Sequence, residues 1–495
     1  MQNKPWYPEL TDLGVPEEPT ISALQSAMAR GQLTARDLVL HYLGRIAEID
    51  KSGPTLNSIL EVNPDALATA DALDAERALH GPRGPMHGIP VVLKDNINTG
   101  DKMHTSAGSL ALADSRAAED AFIVRQLRAA GAIILGKSNM TEWANFMTEN
   151  MPNGFSSRGG QVLNPYAPGQ LDTGGSSSGS GAAVAANLTA VAIGTETSGS
   201  ILSPSSQHNI VGIKPTLGLI SRTGIIPIAH SQDTAGPMAR TVRDAAILLG
   251  VMAGIDTTDP ATMASVGRTT SDYTVFLDSE GLRGARIGVP REGFYTKLPE
   301  DKLALMNQAL ERMEALGAEI VDPVVIPSIS EPWSIDVLIY EFKSDLNAYL
   351  SQLGPRASVH SLAEVIQFNE ANAEVCLKHG QTLLVAAEKT SGTLTDKEYI
   401  EARARDLYFA TSAGIDFVMK EHRLDALVFP SNWGASLPAK AGYPSITVPG
   451  GFAAGNGEPV GVTFSGLAYS EPTLLRLAYA FEQATNHRRA PQLEL

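Results

Sequence analysis

Gly174-Gly175-Ser176-Ser177-Ser178-Gly179-Ser180 opens a segment of small residues. It runs through Ala182-Ala183-Val184-Ala185-Ala186 and Ala190-Val191-Ala192-Ile193-Gly194 to a second loop, Thr197-Ser198-Gly199-Ser200. Glycine lets backbone N–H groups approach a ligand closely, and serine supplies hydroxyls for attack or proton relay. Such loops are anion cradles or catalytic sites. A phosphate loop of the form G-x-x-x-x-G-K-[ST] carries its lysine within the loop. No lysine lies between Lys137 and Lys214, which disfavours nucleotide binding. Gly175-Ser176-Ser177-Ser178-Gly179 also spells a G-x-S-x-G nucleophile elbow with Ser177 at its centre, but that elbow needs a hydrophobic strand running straight into it. The preceding stretch, from Asn164-Pro165 to Asp172-Thr173, reads as loop.

A catalytic serine needs a base, and the nearest candidate lies upstream. His87-Gly88-Ile89-Pro90-Val91-Val92-Leu93-Lys94-Asp95-Asn96 is a short β-branched run that ends in a lysine. Burying an ammonium without a partner is expensive, and the group responds by losing proton affinity. At an ordinary value near 10.4 only about 0.04% of a lysine is neutral at pH 7, whereas at about 7 to 8 the fraction is tens of per cent. A strand-end lysine pointing into water is the bland alternative for Lys94. Lys137, in Ile133-Ile134-Leu135-Gly136-Lys137-Ser138-Asn139, stands in a similar setting and is a rival base. His87, His104, His208 and His230 suggest a Ser-His-Asp arrangement, but none stands in a motif that pairs it with Ser200. Asp233 reads as a structural hydrogen-bonding carboxylate. Ser177, Ser178 and Ser180 read as loop or cap residues at the start of an Ala-rich helix.

Around these loops, short apolar runs alternate with helical periodicity. Strands are predicted at 89–93, 132–135, 191–193, 287–289, 426–429, 445–448 and 460–464. Helices are predicted over 118–130, 241–252, 301–316 and 472–484, after an opening pair at 20–27 and 34–49. Alternation of this kind specifies a layered α/β architecture with a buried, mostly parallel sheet. Residues from about 330 to 422 read as mostly helical and are expected to roof a pocket, with Trp333, Tyr340, Phe342, Phe368 and Tyr408 as candidate lining. The whole chain is expected to form one unit, 1–495.

Composition narrows the partners. A formal net charge of −16 and a hydrophobic content of 43% describe an acidic globular protein, whereas nucleic acids and anionic membranes call for basic patches. A single cysteine, Cys376, excludes an internal disulfide, and no C-x-x-C or H-E-x-x-H spacing points to a metal. No apolar run approaches the ~18 residues of a membrane span. Met1 to Leu10 lacks the apolar core of a signal peptide, which makes the cytoplasm the expected compartment; an exported precursor whose leader had been removed would look the same.

Several of these blocks together resemble the amidase signature family of serine hydrolases. The blocks are His87 to Asn96, Gly174 to Ala186, Gly194 to Pro204, Ile133 to Asn139, Gln232 to Arg240, and Gly442-Tyr443-Pro444-Ser445-Ile446-Thr447-Val448-Pro449. The resemblance implies the amidase signature fold, a large mixed, mostly parallel central sheet covered by helices on both faces. It implies a Ser–cis-Ser–Lys triad with Ser200 as nucleophile, Ser176 as the bridging serine and Lys94 as general base, and no cofactor or metal. The N–H groups of Thr197, Ser198, Gly199 and Ser200 would then form the oxyanion hole. The implied partner is a small-molecule or peptide amide, acted on by a monomer or homodimer.

The sequence departs from the family pattern at Ser178, Ser198 and Leu202, and at Glu196, where aspartate is more usual. Leu202 stands where amidotransferase subunits have arginine. Gly194-Thr195-Glu196-Thr197, Glu142-Trp143-Ala144-Asn145-Phe146, Arg158-Gly159-Gly160-Gln161 and Tyr340-Glu341-Phe342-Lys343 are similar to the peptide amidases, which makes C-terminal peptide amides the expected substrate. Aryl acylamides, carbamates or esters, and an amidotransferase-subunit role, are the alternatives.

Overall fold

The apolar run that ends at Lys94 is a strand, Pro90–Lys94, buried at every position. β-Branched residues pointing both ways suit a strand covered on both faces, and each such side chain removed from water is worth about 1.5–3 kcal/mol. The computed structural model describes residues 15, 17–355 and 357–493 and places this strand inside an eleven-stranded sheet. Numbered along the chain, the strands of that sheet are β1 (Ile59–Val62), β2 (Pro90–Lys94), β3 (Ile133–Ser138), β4 (Val191–Glu196), β5 (Val211–Lys214), β6 (Thr234–Ala239), β7 (Arg286–Gly288), β8 (Glu319–Val321), β9 (Ala426–Pro430), β10 (Ser445–Phe452) and β11 (Pro459–Ser465). They lie side by side in the order β1-β3-β2-β4-β6-β5-β10-β11-β9-β7-β8.

The sheet is large and mixed, with helices packed against it, as expected. Parallel pairing is found at β2–β3, β2–β4, β9–β7 and β7–β8. The other six neighbouring pairs are antiparallel, so parallel pairing has a smaller share than strand–helix alternation suggests. The reason is local: β10 and β11 are joined by a short turn, which forces antiparallel pairing. β1, β5 and β6, which the apolar pattern did not mark as strands, also join antiparallel to their neighbours.

The expected helices form with small shifts at their ends: Phe122–Ala129, Val242–Met252, Glu300–Ala315 and Glu471–Thr485. Thr20 caps Ile21–Ala29, and Thr34 with Asp37 forms a reciprocal capping box on Ala35–Arg45. The small-residue segment becomes the helix Ser178–Ala185, buried along its whole length. Its composition is explained by Gly179, where an added Cβ would stand 2.3 Å from the Asn139 carbonyl oxygen and 2.4 Å from that of Ser58. Only glycine lets this helix come so close to the chain beside it.

One apolar core runs along the sheet. A second joins Met140, Trp143 and Phe146 to Phe342, Leu346 and Leu384, anchoring the helical region beside the serine loops. That region is helical as predicted, with Asp336–Leu350, Leu362–Ala371, Thr382–Glu388 and Lys397–Ala410 among its segments. No helix among the described residues is long and apolar enough to cross a membrane. Residues 1–10, read above for a leader, lie outside the described residues.

Candidate active site

The end of β2 delivers Lys94 to the serine-rich loop. Its Nζ lies 2.8 Å from Ser176 Oγ, 2.9 Å from Thr195 Oγ1 and 3.1 Å from the Thr195 carbonyl oxygen. The side chain is fully buried. Burial lowers its proton affinity from the ordinary lysine value to about 7, against the opposing pull of the Glu196 and Asp233 carboxylates. Ser176 follows a cis peptide bond after Gly175, and its carbonyl accepts the Thr141 N–H at 3.1 Å.

The second loop lies against the first: the Ser177 N–H donates to the Ser200 carbonyl at 3.1 Å. Glu196 organises this loop. Its Oε1 accepts the Gly199 N–H at 2.7 Å, and its Oε2 accepts those of Ile201 at 2.7 Å and Leu202 at 3.0 Å. A buried carboxylate that accepts several backbone N–H groups holds a loop in one shape. One of the four expected oxyanion donors is therefore engaged, since the Gly199 N–H belongs to Glu196. Among the described residues the N–H groups of Thr197, Ser198 and Ser200 have no protein acceptor. Gly199 has φ of +84°, and a Cβ there would stand 3.3 Å from Asn432 Nδ2. The 430–440 segment, to which the sequence assigned no role, thus passes beside this loop. Ser198 is exposed and Ser200 is 7% exposed.

Three lysines, Lys94, Lys137 and Lys214, are fully buried. Burial lowers Lys137 and Lys214 to about 8, so proton affinity alone does not single out a base. Contacts do. Lys137 donates to the Ile97 carbonyl at 2.6 Å and Thr105 Oγ1 at 2.9 Å, and Lys214 to the carbonyls of Pro215 and Tyr443 at 3.1 and 2.7 Å. Among the described residues, Lys94 alone of the three reaches a serine hydroxyl.

The elbow alternative lacks its strand, for residues 164–173 are turns and coil. Ser177 Oγ is held between the Thr195 carbonyl at 3.0 Å and the Thr195 N–H at 3.2 Å. Ser178 and Ser180 were expected at the start of the helix, and they are there, but they do not cap it. Ser178 Oγ donates to the Gly174 carbonyl at 2.5 Å, and Ser180 Oγ to that of Ile193 at 3.1 Å. The four histidines are bound elsewhere: His87 to the Leu73 carbonyl, His104 to Glu61, His208 to Thr173 and the Pro204 carbonyl, and His230 to Asp345. Asp233 takes the structural part assigned to it, accepting Thr197 Oγ1–H at 2.6 Å and the N–H groups of Ile228 and Ala229. Burial pushes it up to about 6.

A cavity of about 570 Å³ is lined by Asn96, Thr195, Glu196, Thr197 and Asp233, together with Arg222 and Tyr349. Lys94, Ser176 and Ser200 are not among its lining residues and lie behind Thr195, which Lys94 contacts. None of the five aromatic residues named as candidate lining contributes. Helix Asp336–Leu350 instead turns Asp345, Ala348 and Tyr349 toward the cavity while Phe342 and Leu346 enter the second core. Helical phase separates the two faces. At the rim, His230, Glu341 and Asp345 bring ligand-type atoms within 4.8 Å of one another. They are tied internally, with His230 on Asp345 at 2.9 Å and Ser231 N–H and Tyr399 OH on Glu341 at 3.0 and 2.9 Å.

Thr195 and Asn96 are site residues that sequence reasoning passed over. Both stand inside the quoted blocks, yet nothing in a lone threonine or asparagine marks a contact with a lysine.

Comparison with known proteins bears on this geometry. The Amidase family model matches residues 37–475. A probable amidase of Arabidopsis thaliana is 41% identical over 487 residues, spanning 96% of this chain and 92% of its own. The crystal structure of a peptide amidase from Stenotrophomonas maltophilia superposes with a TM-score of 0.90 at 45% identity, covering 99% of this chain and 100% of that one. A glutamyl-tRNA(Gln) amidotransferase subunit of Halorhodospira halophila is 35% identical over 508 residues, covering 96% and 99%.

Proposed function

The chain belongs to the amidase family of amide-hydrolysing enzymes, and on that premise we propose that it cleaves C-terminal carboxamides of peptides with Ser200, Ser176 and Lys94. The observation that carries the proposal is the 2.8 Å contact between Lys94 Nζ and Ser176 Oγ. It is made by a lysine that burial leaves about half neutral at pH 7. The choice of peptide amides is supported by the likeness to a peptide amidase over the whole chain.

In this mechanism Ser200 Oγ attacks the amide carbon. Its proton passes to Ser176 Oγ, whose own proton goes to the Lys94 lone pair. The charge on the carbonyl oxygen is met by the N–H groups of Ser198 and Ser200, each such donor being worth about 3 kcal/mol in a dry site. The relay then runs backwards. Lys94 returns a proton through Ser176 to the departing nitrogen, the C–N bond breaks, and ammonia leaves an ester on Ser200. Water, deprotonated by the same relay, hydrolyses the ester to a free carboxylate and restores the serine.

The test is intact mass after exposure of wild type, Ser200→Ala and Ser177→Ala to a fluorophosphonate, with ammonia release from a dipeptide amide measured alongside. Loss of the adduct in Ser200→Ala alone, with ammonia released by the purified single chain, is the expected result. Loss in Ser177→Ala alone moves the reaction to the elbow. Failure on the dipeptide amide with an intact adduct removes the substrate and keeps the nucleophile.

A further inference from the structure

Three oxygens surround the Lys94 nitrogen, and two of them belong to one residue. Thr195 presents Oγ1 at 2.9 Å and its carbonyl at 3.1 Å, and Ser176 Oγ completes the set at 2.8 Å. A neutral amine has two N–H donors and one lone pair, and it becomes an ammonium with three donors on protonation. A carbonyl oxygen can only accept. If the two N–H groups rest on the two Thr195 oxygens, the lone pair is left facing Ser176, where the proton arrives.

The surroundings hold Thr195 in that pose. It sits in β4, paired to Ala235 of β6, and its N–H and carbonyl both engage Ser177 Oγ, at 3.2 and 3.0 Å. Asn96 Nδ2 lies 3.0 Å from Thr195 Oγ1 and pins the hydroxyl from the cavity side. As a β-branched residue Thr195 also has few χ1 states open to it.

We propose that Thr195 is a positioning residue whose two oxygens aim the Lys94 lone pair at Ser176 and hold the nitrogen in the same place when it is protonated. An environment already arranged for both protonation states needs no rearrangement as the proton transfers. The inference rests on Lys94 being the base, as set out above.

The test uses the fluorophosphonate, whose reaction requires no knowledge of the natural substrate. Ser200 oxygen bonds to phosphorus, fluoride leaves, and the serine proton goes to the base. The rate and saturation constant of adduct formation would be measured from about pH 5 to about 10 for wild type, Thr195→Val, Thr195→Ser, Thr195→Ala and Lys94→Ala. Thr195→Val is expected to lower the limiting rate by about 30- to 300-fold, in the range of lost proton-transfer catalysis, with the saturation constant unchanged. Its acidic limb should move to lower pH, because the ammonium form loses an acceptor. Thr195→Ser should keep most of the rate.

A wild-type rate and limb in Thr195→Val overturn the inference, as does a Thr195→Ser that falls as far as Thr195→Val. A limb that moves upward also overturns it, for that marks water entering a loosened site. Should Thr195→Val not fold, Thr195→Ala is held to the same criteria. A fully active Lys94→Ala removes the base itself, whereas an inactive Lys94→Ala beside an unaltered Thr195→Val removes only the positioning role of Thr195.

Discussion

Lys94 and Lys137 are nearly twins, and one register position separates their chemistry. Lys94 is the last residue of β2 and Lys137 the last but one of the adjacent parallel β3, both are fully buried, and burial lowers the proton affinity of both. In the pairing of β2 with β3, Lys94 stands beside Ser138 and Lys137 beside Leu93. Paired residues share a face and successive residues alternate, so the two lysines leave the sheet on opposite sides. Ser138 Oγ meets Ser180 Oγ of the serine-loop helix at 2.8 Å, which places Lys94 on the helix side. Lys137 meets the Ile97 carbonyl and Thr105, with the buried Asp95 carboxylate in range. Burial makes a lysine able to give up its proton. A base also needs a neighbour that links it to the nucleophile: the hydroxyl beside Lys94 belongs to Ser176 of the serine loop, whereas the one beside Lys137, Thr105 Oγ1, donates to the Ile97 carbonyl at 3.4 Å.

The strongest way to break this comparison is to remove Lys94. Lys94→Met is expected to lower kcat/KM on a peptide amide by about 10⁴-fold or more, the scale on which members of a catalytic relay fail. The same variant should melt at a higher temperature than wild type near pH 6. The folded-state value of Lys94 lies below its unfolded value, so between the two the unfolded chain binds more protons and stability rises with pH. The penalty is therefore present in full below about pH 7 and fades on going alkaline, and the gain from methionine should fade with it. A melting series against pH checks this. A Lys94→Met that is less stable than wild type at pH 6 would show that the contacts to Ser176 and Thr195 outweigh the buried charge.

Glu196 sharpens the comparison by acting on Lys94 and not on Lys137. Its carboxylate holds the Ser200 loop and raises the proton affinity of Lys94. Glutamine offers one acceptor oxygen where two are used, so Glu196→Gln should lower turnover by about 10- to 100-fold through a misplaced oxyanion donor. Loss of the negative charge should also shift the acidic limb of the rate profile to lower pH. In wild type that limb should be centred near pH 7, activity rising with pH as Lys94 becomes neutral. A profile flat across this range would exclude Lys94 as the titrating base.

Much of this was legible in the sequence, and what was hidden has physical causes. Continuous apolar runs such as Ile89-Pro90-Val91-Val92-Leu93 have one reading, and so do periodic helices with a capping threonine at Thr20 or Thr34. β6 was missed because Thr234-Ala235-Gly236-Pro237-Met238-Ala239 contains a glycine and a proline that ordinarily argue against a strand. β8 is a three-residue edge strand, too short to show alternation. Within the site, Lys94, Ser176 and Ser200 stood out through their motifs, while Thr195 and Asn96 are defined by what they touch. The choice between Lys94 and Lys137 on chemistry alone was closed to the sequence, because both end apolar runs and strand parity relative to a distant helix is set by tertiary packing.

The smallest effect on catalysis is expected at Lys137, and it is the most informative about that parity. Lys137→Met should change kcat/KM by less than about 3-fold, under about 0.7 kcal/mol of barrier, because Lys137 contacts neither serine loop. It should also gain stability near pH 6, by less than Lys94→Met. Burial lowers Lys137 to about 8 even with the buried Asp95 carboxylate in range, so the same linkage applies and the penalty fades as pH rises. The two lysines should therefore differ in activity and not in the sign of the stability change: Lys94→Met gains melting temperature and loses activity, and Lys137→Met gains less and keeps activity. Thermal melts and steady-state kinetics on the two variants read both quantities. A Lys137→Met enzyme as inactive as Lys94→Met, yet still folded by circular dichroism, would mean that the face of the sheet does not separate the two lysines and that both take part in the proton transfer.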